Sequence, residues 1–130
     1  MKKIASGFLL FAIVIASSIK ANAQAGNTSS SLLRHIVIIT FKQDAPADSI
    51  KALDDVYSDL SKSPSVKDFE MGVSMSARDT GIVKHVYVTS FASKEDMDNY
   101  RKVPEYSKLF KLSLPIADEV TVADYWAKKP

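Results

Sequence analysis

The sequence predicts an α+β sandwich, an antiparallel four-stranded sheet with helices on one of its faces. Three observations lead there. Short β-branched runs and amphipathic segments succeed one another in the order β-α-β-β-α-α-β. Two of the runs, "RHIVIITF" at 34–41 and "KHVYVTSF" at 84–91, nearly repeat each other, with a cation and a histidine at the head and a phenylalanine six places beyond. The helical segments are apolar on one side only, which suits helices laid on a common sheet face.

The first strand is read from "LLRHIVIITFK", a short β-branched run that suits burial on both faces. "QDAPAD" breaks it. Ile50, Leu53, Val56, Tyr57 and Leu60 then recur at helical spacing, predicting an amphipathic helix over 47–62 with Asp54, Asp55 and Asp59 outward on a solvated face. Phe69, Met71, Val73 and Met75 alternate with polar or small residues, the period of a second strand, in which Gly72 marks a bulge or a close backbone approach. "ARDTG" turns the chain into the third strand, 83–91. Ser93 followed by Asp96 forms an N-cap arrangement opening a short helix with Met97 and Tyr100. Pro104 restarts the chain into a further helix bearing Tyr106, Leu109 and Phe110, and Pro115 stops it. "EVTVADYW" is the closing strand.

Ahead of this domain, Lys2 and Lys3 precede an apolar run from Ile4 to Ile19, and Ala21-Asn22-Ala23 supplies a small-x-small cleavage pattern. Residues 1–23 therefore read as a signal peptide cut before Gln24, the rival being a retained membrane anchor. Residues 24–31, "QAGNTSSS", read as a disordered leader, and the folded domain as 32–127. Loss of Lys2, Lys3 and Lys20 leaves 14 Lys+Arg against 15 Asp+Glu, so the net charge passes from +2 to −1. No basic tract with interleaved aromatics remains to engage nucleic acid. The absence of cysteine excludes a disulfide framework and a lipid-anchoring cysteine. The expected product is exported, periplasmic or secreted, and free of the membrane once cut. At about 107 residues it buries only about 60–70% of its unfolded surface, so a homodimer is a natural way to bury more.

The element order is that of a ferredoxin-like sandwich. In that arrangement the first and third strands are expected as parallel central neighbours, which puts His35 and His85 side by side at one sheet edge. Side-chain alternation gives His35, Val37, Ile39 and Phe41 one face, shared with His85, Tyr87, Thr89 and Phe91. Ile36, Ile38, Val86 and Val88 face the other way, where no helix is left to cover them. A sheet-to-sheet homodimer follows, with Val120, Val122, Tyr125 and Trp126 extending across it.

The strand-initial histidines, the Phe91-x-Ser93 step into a helix and Tyr100-x-x-x-Pro104 carry a resemblance over about residues 33–126. The chain resembles the stress-responsive α/β-barrel (Dabb) domain family, whose members pair as dimeric α/β barrels. A plant polyketide cyclase belongs to that family and uses pocket histidines and tyrosines for aldol closure. The resemblance implies a pocket between sheet and helices, with His35, His85 and Tyr100 as candidate catalytic residues. The family's Y-x-x-H-P-x-H segment reads "YRKVPEY" here, so Val103 and Tyr106 replace two histidines, the second of them the general base of the cyclase. A phenol is a poor proton acceptor at neutral pH compared with an imidazole.

Tyr57, Tyr87, Thr89, Tyr106 and Phe110 are the candidate ligand-binding residues, against the alternative that they are ordinary core aromatics with hydroxyls at the rim. The histidines have the same alternative, as strand ends with one nitrogen on a carbonyl or water. Two histidines with no spaced third ligand predict no metal site, and no cofactor is expected. Three functions stay open. One is binding of a small apolar carbonyl-bearing molecule, with proton transfer at carbon of cyclase, lyase or isomerase type. Another is a non-catalytic dimeric stress or envelope protein, and the last a ferredoxin-like monooxygenase handling haem or quinone.

Overall fold

A computed structural model of the chain describes residues 31–128. The signal-peptide reading of 1–23, and all but the last residue of the 24–31 leader, lie outside the described residues. Four strands and three helices follow in order: β1 Leu33–Phe41, α1 Ala47–Leu60, β2 Asp68–Val73, β3 Lys84–Phe91, α2 Lys94–Lys102, α3 Tyr106–Ser113 and β4 Ala117–Trp126, with a 3₁₀ turn at Ala77–Asp79. This is the ferredoxin-like α+β fold, a four-stranded antiparallel sheet in the order β2-β3-β1-β4.

Local chemistry sets the element ends. Ser93 caps α2 by accepting from the Asp96 amide at 3.0 Å, and Glu95 and Asp96 in the first turn with Arg101 and Lys102 in the last complement the helix dipole. Gly81 takes φ 77°, a turn conformation that an L side chain resists, as the chain enters β3. Gly72 lies in unbroken register with Val86, and a Cβ there would meet nothing within 4 Å. It therefore marks neither the bulge nor the close approach that its residue type predicts.

Strand direction departs from expectation. β1 and β3 are neighbours, but antiparallel, with His35 opposite Thr89 and Ile39 opposite His85. The crossover through α1 makes β2 the parallel mate of β1, and the β2–β3 hairpin then returns β3 between them, reversed. Four residues of strand, about 14 Å at ~3.4 Å per residue, separate the levels of His35 and His85. The two imidazoles share a face but not an edge, which corrects the side-by-side placement.

That shared face packs against the helices. Leu33, Val37, Ile39 and Phe41 of β1, Tyr87 and Phe91 of β3, and Leu53, Tyr57 and Leu60 of α1 form the core with Met97, Tyr100 and Leu109. The alternate residues of β1, Ile36 and Ile38 among them, are only half-buried, so within one chain the strand is covered on a single face rather than two. Among the described residues no helix is long and apolar enough to cross a membrane.

Candidate functional site

A cavity of about 600 Å³ opens between the sheet and α3, on the side of β4. Its floor is the inner row of β1, His35, Val37 and Ile39, continued by Val120 and Val122 of β4. Register makes this row continuous, because His35 pairs with Asp124, Val37 with Val122 and Ile39 with Val120, and paired residues point to the same face. From the helices come Tyr57 of α1, Arg101 of α2, and Tyr106, Leu109 and Phe110 of α3. The helices stop short of β4, so Val120 and Val122 stay half exposed although they face the helical layer.

At one end of the floor His35 is 5% exposed, and its Nδ1 lies 2.5 Å from Asp124 Oδ1. A carboxylate only accepts, so the proton sits on Nδ1, and in the neutral ring Nε2 is left as the acceptor. The other oxygen of Asp124 receives Arg101 Nη2 at 3.4 Å. The strand pairing places the carboxylate, and α2 brings the guanidinium over it.

His85 forms a second histidine–aspartate pair, away from this cavity. Its Nδ1 donates to Asp54 Oδ1 at 2.9 Å, and Tyr87 donates its hydroxyl to the same oxygen at 2.7 Å. The Tyr87 ring stacks on Tyr57 with centroids 3.8 Å apart, and Phe41 meets the His85 ring edge-on at 5.1 Å. Asp54 thus turns inward, whereas the helical pattern grouped it with the outward Asp55 and Asp59. It lies four residues after Ile50 and three before Tyr57, on the border of the apolar stripe, and two buried donors draw it in.

Of the residues singled out in the sequence, the structure brings His35, Tyr57, Tyr106 and Phe110 to the cavity wall. His85 and Tyr87 belong to the Asp54 cluster. Thr89 lies opposite His35 and hydrogen-bonds Tyr100, both of them buried behind the cavity. Tyr100 in turn meets Phe91 at 5.2 Å and Tyr106 at 5.4 Å. Burial pushes the Tyr100 phenol up to about 12, the Thr89 hydrogen bond opposing the shift. Burial, followed by the neighbouring Tyr100 and Tyr106 phenols, likewise raises Tyr57. Tyr87 is raised by burial and then by the Asp54 carboxylate it serves. Such phenols hold their protons and act as donors, which leaves proton acceptance to an imidazole.

Asp124 and Arg101 escaped the reading of the sequence. The signal for Asp124 was its place in the alternation Val120, Val122, Asp124, Trp126, a single acid in an otherwise apolar row. Arg101 left no comparable mark, since a basic residue in the last turn of a helix is ordinary.

Fold and site together define a ferredoxin-like α+β protein with an imidazole–carboxylate pair at the end of an apolar cavity. Residues 33–127 match the stress responsive A/B barrel domain, and the chain belongs to that family. Solved structures agree in fold. A hydroxynitrile lyase from Passiflora edulis is 23% identical with a TM-score of 0.67, covering 78% of this chain and 97% of its own. A Dabb family protein from Mesorhizobium loti with a ferredoxin-like fold is 20% identical, TM-score 0.62, over 76% and 99%. A dimeric ferredoxin-like protein from Thermobifida fusca is 14% identical, TM-score 0.64, over 75% and 92%. No curated protein matches the chain.

Proposed function

We propose that the chain is a lyase-like protein that moves a proton on a small apolar carbonyl compound, with His35 as the base. The observation that carries this reading is the His35–Asp124 pair at the cavity wall, Nδ1 bound to the carboxylate and the ring set among apolar side chains. Asp124 orients the imidazole and supports the imidazolium that forms, as a carboxylate does behind a catalytic histidine. Nε2 takes the proton of a carbon α to the carbonyl, the C–H bond breaks, and the electron pair moves onto the carbonyl oxygen. Tyr106, on the wall, donates to that oxygen as its charge develops. The same geometry serves cyanohydrin cleavage. Nε2 takes the hydroxyl proton, the bond from carbon to cyanide breaks, a carbonyl forms, and the leaving cyanide takes the proton back. Tyr106, at the position where the family pattern carries histidine, then acts as donor and not as base.

Two assays test this: cyanide release from mandelonitrile, and deuterium exchange α to the carbonyl of an aryl ketone followed by NMR. We expect at least one above the buffer rate, lost in His35→Asn and Asp124→Ala and retained in His85→Asn. Absence of both activities, or a fully active His35→Asn chain, overturns the reading.

The outer sheet face, with Ile36, Ile38 and Val86 half-buried and Tyr125 exposed, supports a homodimer through that face. Residues 1–23 support export, for which an exported chain starting at Gln24 in mass spectrometry is the expected result and one starting at Met1 the contrary one.

A further inference from the structure

The cavity wall is one-sided in charge. Arg101 lines it, the hydroxyls of Tyr57 and Tyr106 stand beside it, and no carboxylate lies among the lining residues, while Ser107 and Ser113 donate their hydroxyls to the carbonyls of Pro104 and Phe110. Asp124, partly exposed and outside the lining, has one oxygen committed to His35 and the other in a long 3.4 Å contact with Arg101. A guanidinium has five N–H donors, so most of those on Arg101 are not used by Asp124. The rest of the wall is apolar. Val37, Ile39 and Leu109 close it from inside, and Val120, Val122 and Phe110 stay exposed at the β4 side. A cation finds no acidic residue in the lining, and a wholly apolar guest leaves the guanidinium with nothing beyond its long contact to Asp124. An apolar body ending in a carboxylate satisfies both parts of the wall, since planar bidentate pairing with a carboxylate is what arginine does best.

We propose that the cavity selects amphipathic monocarboxylates, Arg101 gripping the carboxylate while the apolar body lies along Val37, Ile39 and Leu109. This rests on the reading of the cavity as a ligand site, and it narrows the substrate to an alkyl or aryl oxo acid whose carbonyl falls at His35.

The test is calorimetry on the purified full chain with phenylpropanoate and its amide, two probes of one shape that differ in charge. A charge-assisted pair predicts that the carboxylate binds about tenfold tighter or more, with the margin shrinking as salt is raised. Arg101→Gln is expected to bring the carboxylate down to the amide and leave the amide unchanged, and Arg101→Lys to keep part of the margin. Val122→Trp, which fills the cavity from the exposed β4 side, is expected to abolish binding of both. Equal affinity for the two probes, or an unchanged margin in Arg101→Gln, overturns the proposal and leaves the cavity reading standing. Binding of neither probe, or full binding in Val122→Trp, sinks the cavity reading along with it.

Discussion

Asp54 gives the sharpest test of the packing argument, because one oxygen serves two buried donors. Oδ1 receives the Tyr87 hydroxyl at 2.7 Å and His85 Nδ1 at 2.9 Å. In Asp54→Ala both donors lose their acceptor. Tyr87 is 0% exposed, so water has no access, and an unsatisfied buried donor costs roughly 1–3 kcal/mol. The His85 side chain is 12% exposed, so water relieves it in part and its share falls near the bottom of that range. The sum is about 3 kcal/mol, or a melting temperature lower by roughly 10–20 °C for a domain of this size. Asp54→Asn retains an acceptor oxygen at the same place and forgoes only the charge, so it is expected to cost about 1 kcal/mol. Tyr87→Phe removes one donor together with its need. The double variant Asp54→Ala/Tyr87→Phe is then less damaging than the two single changes added, by about 1–2 kcal/mol. Urea unfolding followed by far-UV circular dichroism measures all four chains. An Asp54→Ala chain within about 0.5 kcal/mol of wild type, or additive single variants, would refute the shared-acceptor argument.

The buried phenols make an alkaline limit. A group whose folded pKa is raised contributes stability that is complete below its unfolded value and lost as pH climbs through the folded one. For Tyr100, raised by burial to about 12, that window runs from about 10 to about 12, and it carries on the order of 2–3 kcal/mol. Tyrosinate absorbance from Tyr57, Tyr87 and Tyr100 is expected to appear together with loss of the circular dichroism signal, and ionisation of the folded chain well before unfolding would contradict it. On the outer face, Ile38→Glu puts a charge in the middle of the sheet surface assigned to the partner. Light scattering is expected to find dimer for wild type and monomer for the variant, and an unchanged mass would remove that face from the interface.

The elements and their inward faces were legible in the sequence, because each is set by residues close together in the chain. Period-2 alternation put His35, Val37, Ile39 and Phe41 on one face, and helical spacing put Leu53, Tyr57 and Leu60 on one stripe, where the structure buries them. The Ser93 cap and the proline stops were equally local. Family membership was legible too, since strand-initial histidines and the Tyr100-x-x-x-Pro104 step are patterns of sequence.

The direction of β3 beside β1 was misread, although the antiparallel sheet expected from the sequence already implied it, and it decided the site. The likeness of "RHIVIITF" and "KHVYVTSF" is the same whether the strands run together or opposed, so nothing local says whether their histidines meet. Reversal of β3 in the sheet parts them, and each takes its own carboxylate: Asp124 from a strand 89 residues further on for His35, and Asp54 from a helix for His85. Those pairings are long-range consequences of register and of the α1 crossover. Periodicity tells a side chain which way to point, and only the closed fold determines which other side chain it finds there.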